Sequence, residues 1–358
     1  MSFQHGGQLE KIKQAYPDQT LPWIDLSTGI NPFSYPVTPN AESNCHYMMA
    51  SQSLPQHHDQ LTEAAASYYG TDKLLVTPGS MWGVQNLPLM RRLLFPNDAR
   101  PVLLPKQGFN EHKKAWLAWG FEIEFYEDQP TLTQLSSVQA CIVINPNNPT
   151  GHLFDPSILR DMHATLINDN ACLIIDEAFL DVTPEFSMAC ENNMLGLIIL
   201  KSFGKFFGLP GLRIGALIAQ SAILELANKL LNPWSIPSLA QQVAIDAWTD
   251  KAWQQTCTKN IKACGNKLKG LLLELSYDTQ GTDFFQTHYS DDAKALYDFL
   301  LTKGIYTRLL DDESGLRFAL PKSESQWIRL ENALLGFKHT QQPESHIFDT
   351  HFKKAEPA

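Results

Sequence analysis

The chain has 358 residues, 44% of them hydrophobic, with 38 Asp and Glu against 28 Lys and Arg, and a formal charge of −10. At roughly 150 residues per domain this length suggests about two domains with a sizeable core. No run of Lys or Arg offsets the acidity, which argues against a nucleic-acid ligand, and no apolar run approaches the ~20 residues needed to span a bilayer.

Six cysteines (45, 141, 172, 190, 257 and 264) are scattered without a Cys-x-x-Cys pair, as free thiols would be. The start, Met1-Ser-Phe-Gln-His-Gly-Gly, has neither a basic nor an apolar leader segment, so a cytoplasmic protein is expected.

Residues 1–45 are rich in Gly, Pro, Asn and Ser. Only Glu10–Ala15 and Trp23–Leu26 look regular, so this reads as an arm that lies on something else. Asp59 then caps a helix Gln60–Tyr69 that stops at Gly70. A strand Leu74–Val76 leads through Thr77-Pro78-Gly79-Ser80 into an amphipathic helix ending near Leu94.

Strands and helices alternate from there. The pattern predicts strands Pro101–Leu104, Phe121–Tyr126, Ala140–Ile144, Ala171–Ile175 and Met194–Leu200, with helices Glu111–Trp119 and Pro156–Ile167 between them. Continuous apolar strands separated by helices imply an α/β fold with a parallel sheet covered on both faces. A helix Ser221–Leu231 follows, then a break at Asn232-Pro-Trp234, then helix from Leu239 to Ser276 interrupted near Gly265. The rest (Asp283–Thr287, Ala293–Lys303, Ile305–Arg308, Leu316–Ala319, Glu324–Leu335) reads as a smaller α+β unit with a polar tail. The implied division is an arm 1–45, a large domain 46–235, a small domain 236–338 and a tail 339–358.

Three of the expected strands end in polar clusters, where sites in such sheets lie. After Ala140–Ile144 comes Asn145-Pro-Asn-Asn148-Pro-Thr-Gly151, and after Ala171–Ile175 comes Asp176-Glu-Ala-Phe179. After Met194–Leu200 comes Ser202-Phe-Gly-Lys205-Phe-Phe-Gly208-Leu-Pro-Gly211-Leu-Arg213-Ile-Gly215. A lysine among aromatics and glycines is partly desolvated, which favours the neutral amine that adds to carbonyl carbon. Ser202 and Arg213 could face one anion. Lys201 is the rival amine, and the register relative to Ser202 and Arg213 favours Lys205. His57-His58-Asp59 is not expected to hold a metal, since neighbouring histidines at a helix start rarely converge on one ion. Nucleotide-binding glycine loops are absent.

These three clusters together resemble the fold-type I pyridoxal-phosphate enzymes, in the histidinol-phosphate aminotransferase branch. Narrower features resemble the threonine-phosphate decarboxylases of cobalamin biosynthesis: His5-Gly6-Gly7, Asp25-Leu-Ser-Thr-Gly-Ile-Asn31-Pro32, Asn232-Pro-Trp-Ser235 and Leu316-Arg317-Phe-Ala-Leu-Pro321. The resemblance spans about residues 5 to 336. It implies a mostly parallel seven-stranded sheet in the large domain, pyridoxal 5'-phosphate as cofactor, a small phosphorylated amino acid as substrate, and a homodimer.

It also implies roles. Lys205 would join the cofactor aldehyde, Asp176 would keep the pyridine nitrogen protonated, and Asn148 would bond the ring 3-oxygen. Gly79, Ser80, Met81, Ser202 and Arg213 would hold the cofactor phosphate, and Phe109 would stack on the ring. On the substrate side, Arg317 would clamp the carboxylate and Arg308 the phosphate. His5 and Gly6 would close over the substrate, with Gly29 and Asn148 beside it. The activity implied is decarboxylation of L-threonine O-3-phosphate, the alternative being transamination of histidinol phosphate or a related compound.

Several positions depart from the family pattern. Phe179 stands where many of the aminotransferases carry Tyr, and Gly204 where a serine often precedes the lysine. Leu54 stands where a tyrosine usually reaches the partner subunit, and Gly29 where some decarboxylases have Asn.

Overall fold

The structure is a computed structural model that describes residues 6–37, 52–56, 59–191 and 193–341. His5, Cys45, His57, His58 and most of the polar tail lie outside the described residues. Thirteen strands form three sheets among the described residues. They are β1 (Ile24–Asp25), β2 (Leu74–Thr77), β3 (Val102–Pro105), β4 (Ile123–Tyr126), β5 (Ala140–Ile144), β6 (Cys172–Asp176) and β7 (Leu197–Ser202). The remainder are β8 (Gly215–Ala219), β9 (Thr279–Thr282), β10 (Phe285–Tyr289), β11 (Ile305–Tyr306), β12 (Arg308–Leu309) and β13 (Gly315–Ala319).

The large sheet runs β2-β8-β7-β6-β5-β3-β4. Every pairing from β7 to β4 is parallel, and β8 alone runs against its neighbours β2 and β7. Strands β5, β6 and β8 are buried along their whole length, as expected where helices cover both faces. In the register, Ile144 pairs with Asp176, and Asp176 with Leu200. The carboxyl ends of three adjacent strands therefore finish side by side. A small antiparallel sheet, β12-β13-β10-β9, stands beside this edge.

The arm is tied down at β1, which pairs in parallel with β11, while Leu26 N donates to the Tyr306 carbonyl. Residue 307 marks a change of sheet. Ile305 and Tyr306 pair with the arm, whereas Arg308 and Leu309 pair with β13. The expected strand Ile305–Arg308 is thus two short strands. Arg308 lies directly opposite Arg317.

Other expectations need correction. Strand β8 was not anticipated, because its five residues follow a glycine-rich loop with no helix longer than a single turn, such as Phe203–Phe206, between it and β7. The helix Leu132–Ser137 was also not anticipated, although Thr131 and Gln134 form a reciprocal capping box that the sequence carries.

The long helical region breaks at Asp250 rather than at Gly265. Helices Ser238–Thr249 and Lys251–Glu274 meet there, with the Asp250 carboxylate accepting from Trp253 N at 2.9 Å. Gly265 stays helical, and its missing side chain admits the Asp283 backbone, whose Cα would be 2.8 Å from a Cβ. The expected strand at 283–287 is a hairpin turning at Asp283-Phe284. The last helix runs Glu324–Gln341, past the expected start of the tail. Among the described residues, no helix is long and apolar enough to cross a membrane, and no three His, Cys, Asp or Glu cluster as metal ligands.

Candidate active site

Lys205 follows β7 on a one-turn helix, Phe203–Phe206, whose neighbouring rings at 203, 206 and 207 are buried in the core. Its Nζ lies 5.1 Å from the centre of the Phe179 ring. The side chain lies between an inner cavity and an outer pocket, and its desolvation, reinforced by the charge of Arg317 and opposed by Asp176, lowers its pKa to about 8. Lys201, the rival, lies on β7 itself and is spent elsewhere. Its amine is buried 2.5 Å from Glu177 Oε2 and 3.1 Å from Ser187 Oγ. The two lysines thus lie in different surroundings, Lys201 paired with Glu177 and Lys205 lining a cavity.

Asp176 ends β6, adjacent to β7, and is 4% exposed. Its Oδ1 accepts from Ala178 N at 3.0 Å, and its Oδ2 lies 2.9 Å from His112 Nε2. Sequence reasoning gave His112 no role. The available signal was its position three residues after Phe109, at the start of helix Glu111–Ala118, where one turn brings both rings to the same side. Phe109 and His112 meet edge to face, with centroids 6.2 Å apart.

An anion cradle faces the same space. Gly79 has φ +81°, and a Cβ there would lie 2.6 Å from Arg213 Nη2, so glycine is required both for the turn and for the approach of the guanidinium. Helix Ser80–Leu94 begins immediately after it, with the positive end of its dipole at Ser80. Arg213 itself has φ +54° and donates Nη1 to the Pro210 carbonyl at 3.2 Å. Gly79, Ser80, Met81, Phe109, Asn148, Asp176, Phe179, Ser202, Lys205 and Arg213 all line one inner cavity of about 150 Å³.

This cavity adjoins an outer pocket of about 560 Å³, whose lining includes Gly6, Gly29, Asn148, Lys205, Arg308 and Arg317. Arg317 is 7% exposed and lies over the Phe285 ring, 5.0 Å from its centre. It donates Nη1 to Asn148 Oδ1 and Nη2 to the Ser27 carbonyl at 2.8 Å, while Nε has no partner. Burial, with Arg308 nearby, lowers its pKa to about 10. Among the described residues it makes no salt bridge. A buried guanidinium with a spare donor and no counter-charge is a seat for an anion.

The arm closes one side, with Gly7 N donating to Ser27 Oγ at 2.7 Å and Gly6 packed on the Ser27 carbonyl. Arg308 reaches the pocket from β12 and pairs through Nη2 with Asp311 Oδ1 at 2.6 Å. Leu54, well away from these contacts, is 58% exposed.

The chain is similar in sequence and in fold to known proteins. The model of the family "Aminotransferase class I and II" matches residues 22–326. A threonine-phosphate decarboxylase of Pseudomonas aeruginosa is 37% identical over 338 residues, covering 94% of this chain and 98% of its own length. Another, from a Sinorhizobium species, is 34% identical, with 72% and 74% covered. The solved histidinol-phosphate aminotransferase of Sinorhizobium meliloti, in complex with pyridoxal-5'-phosphate, superposes with a TM-score of 0.76 at 16% identity, covering 93% of this chain and 95% of its own.

Proposed function

This chain belongs to the aminotransferase class I and II family, and on that premise we propose that it decarboxylates L-threonine O-3-phosphate. The products are carbon dioxide and (R)-1-amino-2-propanol O-2-phosphate, the linker precursor of cobalamin. Both curated relatives described above carry the corresponding name, which supports decarboxylation over transamination.

The cofactor is pyridoxal 5'-phosphate, and the donor set of the inner cavity fits it. The start of helix Ser80–Leu94, with Ser202 and Arg213, would take its phosphate. Asp176 would face its ring nitrogen, and Phe109 its ring face. Asn148 spends its side-chain oxygen on Arg317, which leaves its amide N–H groups for the ring oxygen. Lys205 supplies the amine for the aldehyde. When bound, the cofactor supplies an electron sink for the pair left on the α-carbon.

The observation that carries the substrate half is Arg317, buried and short of one acceptor. It would hold the α-carboxylate next to Lys205, with Arg308 taking the phosphate further out. Phe179 and Phe285 make the surroundings apolar, 5.3 Å apart between ring centres, where departing neutral carbon dioxide costs less than a retained anion. The lowered basicity of Lys205 suits it to give a proton to the α-carbon in place of the lost carboxylate.

Domain limits of 46–235 and 236–338 are supported by the large sheet lying within residues 74–219 and the small one within 279–319. A cytoplasmic homodimer completes the reading, and an exposed apolar Leu54 is a side chain that a second copy would cover. The test is to incubate pure holoprotein with threonine phosphate and with histidinol phosphate. Carbon dioxide release from the first supports the proposal. Conversion of the cofactor to its amine form without carbon dioxide rejects it.

A further inference from the structure

Arg308 does not face the outer pocket as a bare cation. Asp311, in the turn joining β12 to β13, places Oδ1 2.6 Å from Arg308 Nη2. The other oxygen of the same carboxylate accepts from Asn110 Nδ2. Asn110 belongs to the opposite wall, in the loop between β3 and helix Glu111–Ala118. One carboxylate thus bridges the two sides of the pocket mouth, and all three residues line the pocket.

The charge arrangement explains why an acid sits there. Arg308 and Arg317 are direct cross-strand partners, an unfavourable pairing of like charges. Asp311 supplies this pair with a counter-charge through Arg308, and its side chain is 42% exposed, so it can swing into solvent at little cost. Its neighbour Asp312 also lines the pocket, but its Oδ1 is engaged within the turn, accepting from Ser314 N and Ser314 Oγ at 3.1 and 2.7 Å.

We propose that Asp311 is a resident counter-ion and latch, which a substrate's phosphate displaces from Arg308 on entering the site. The inference rests on Arg308 being the phosphate partner. An incoming phosphate takes over the guanidinium and finds the Asn110 amide released by the same movement. Because Asp311 is tethered to Arg308 by three residues, it competes with every free anion at a high effective concentration. Weak anions are thereby kept off Arg308, and the mouth stays bridged until a ligand with sufficient affinity arrives.

Inorganic phosphate is the probe, titrated calorimetrically into holoenzyme of wild type, Asp311→Asn and Asp312→Asn. Exposed ion pairs are worth up to ~1 kcal/mol, so Asp311→Asn is expected to tighten phosphate by about fivefold. Asp312→Asn removes the same net charge and is expected to change affinity by less than about twofold. Unchanged or weakened binding in Asp311→Asn, equal tightening in both variants, or no detectable phosphate binding in any of the proteins overturns the latch. Carbon dioxide release from threonine phosphate is measured separately on wild type. Failure there with tighter phosphate in Asp311→Asn removes the proposed reaction and leaves the latch standing.

Discussion

Gly29 and Phe179 share one volume: a Cβ on residue 29 would lie 2.7 Å from Phe179 Cε1, so the ring occupies space that any side chain at 29 would need. The same ring is the neighbour of the Lys205 amine. A six-membered ring at 179 in this position therefore leaves room at 29 for glycine alone.

Gly29→Ala is expected to push the ring toward Lys205. Overpacking of this kind costs about 1–3 kcal/mol, which should weaken cofactor affinity by about tenfold, read from absorbance titration of the apoprotein. Adding Phe179→Leu to the same chain should restore most of the loss. Wild-type affinity in Gly29→Ala would show that the ring yields freely.

His112 buttresses Asp176 from a distance of 64 residues in sequence. A hydrogen bond to a charged group is worth about 1.5–3 kcal/mol, so His112→Ala should lower kcat by about ten- to a hundredfold, with KM changing much less. His112→Gln, which can still donate, should recover part of the rate. An equal fall in both variants would assign His112 to packing alone.

Lys201 and Lys205 should separate cleanly. Lys205→Ala is expected to abolish turnover and to leave no cofactor-labelled peptide after borohydride reduction. Lys201→Met strands the fully buried Glu177, and breaking such a pair costs about 3–5 kcal/mol. That variant should unfold at lower denaturant yet keep its label on residue 205. A label on residue 201 in wild type would reverse the assignment.

The basicity of Lys205 sets a pH dependence. With a pKa near 8 rather than 10.5, about a tenth of the amine is neutral at pH 7. The rate of cofactor uptake by apoprotein should climb about tenfold from pH 7 and level off above about pH 9. The sign for stability follows from the same shift. Between about 8 and 10.5 the unfolded chain binds the extra proton, so the apoprotein gains stability as pH rises through that window. Uptake that continued to rise steeply beyond pH 9 would place the pKa near its ordinary value.

The three strand ends were legible because β5, β6 and β7 are apolar runs that stop abruptly at polar residues, and strand register then aligns them without further information. Residues 202 and 213 were legible through the glycine-rich loop that contains them, whereas 79 and 80 were named only through the family resemblance. What stayed hidden depends on contacts between distant segments. The partner of Asp176 is set by where a helix lands, and the partner of Arg308 by a turn whose acids look like any solvated cluster. The glycine at 265 misled because its smallness serves a neighbouring hairpin turn at Asp283 instead of breaking its own helix.

The hydrogen bond from Arg317 Nη2 to the Ser27 carbonyl joins residues 290 apart. Synthesis reaches residue 219, the end of the large sheet, well before it reaches Arg317. The outer pocket is therefore complete only once both the amino-terminal arm and the carboxyl-terminal sheet have been made, since each end supplies one partner of that bond.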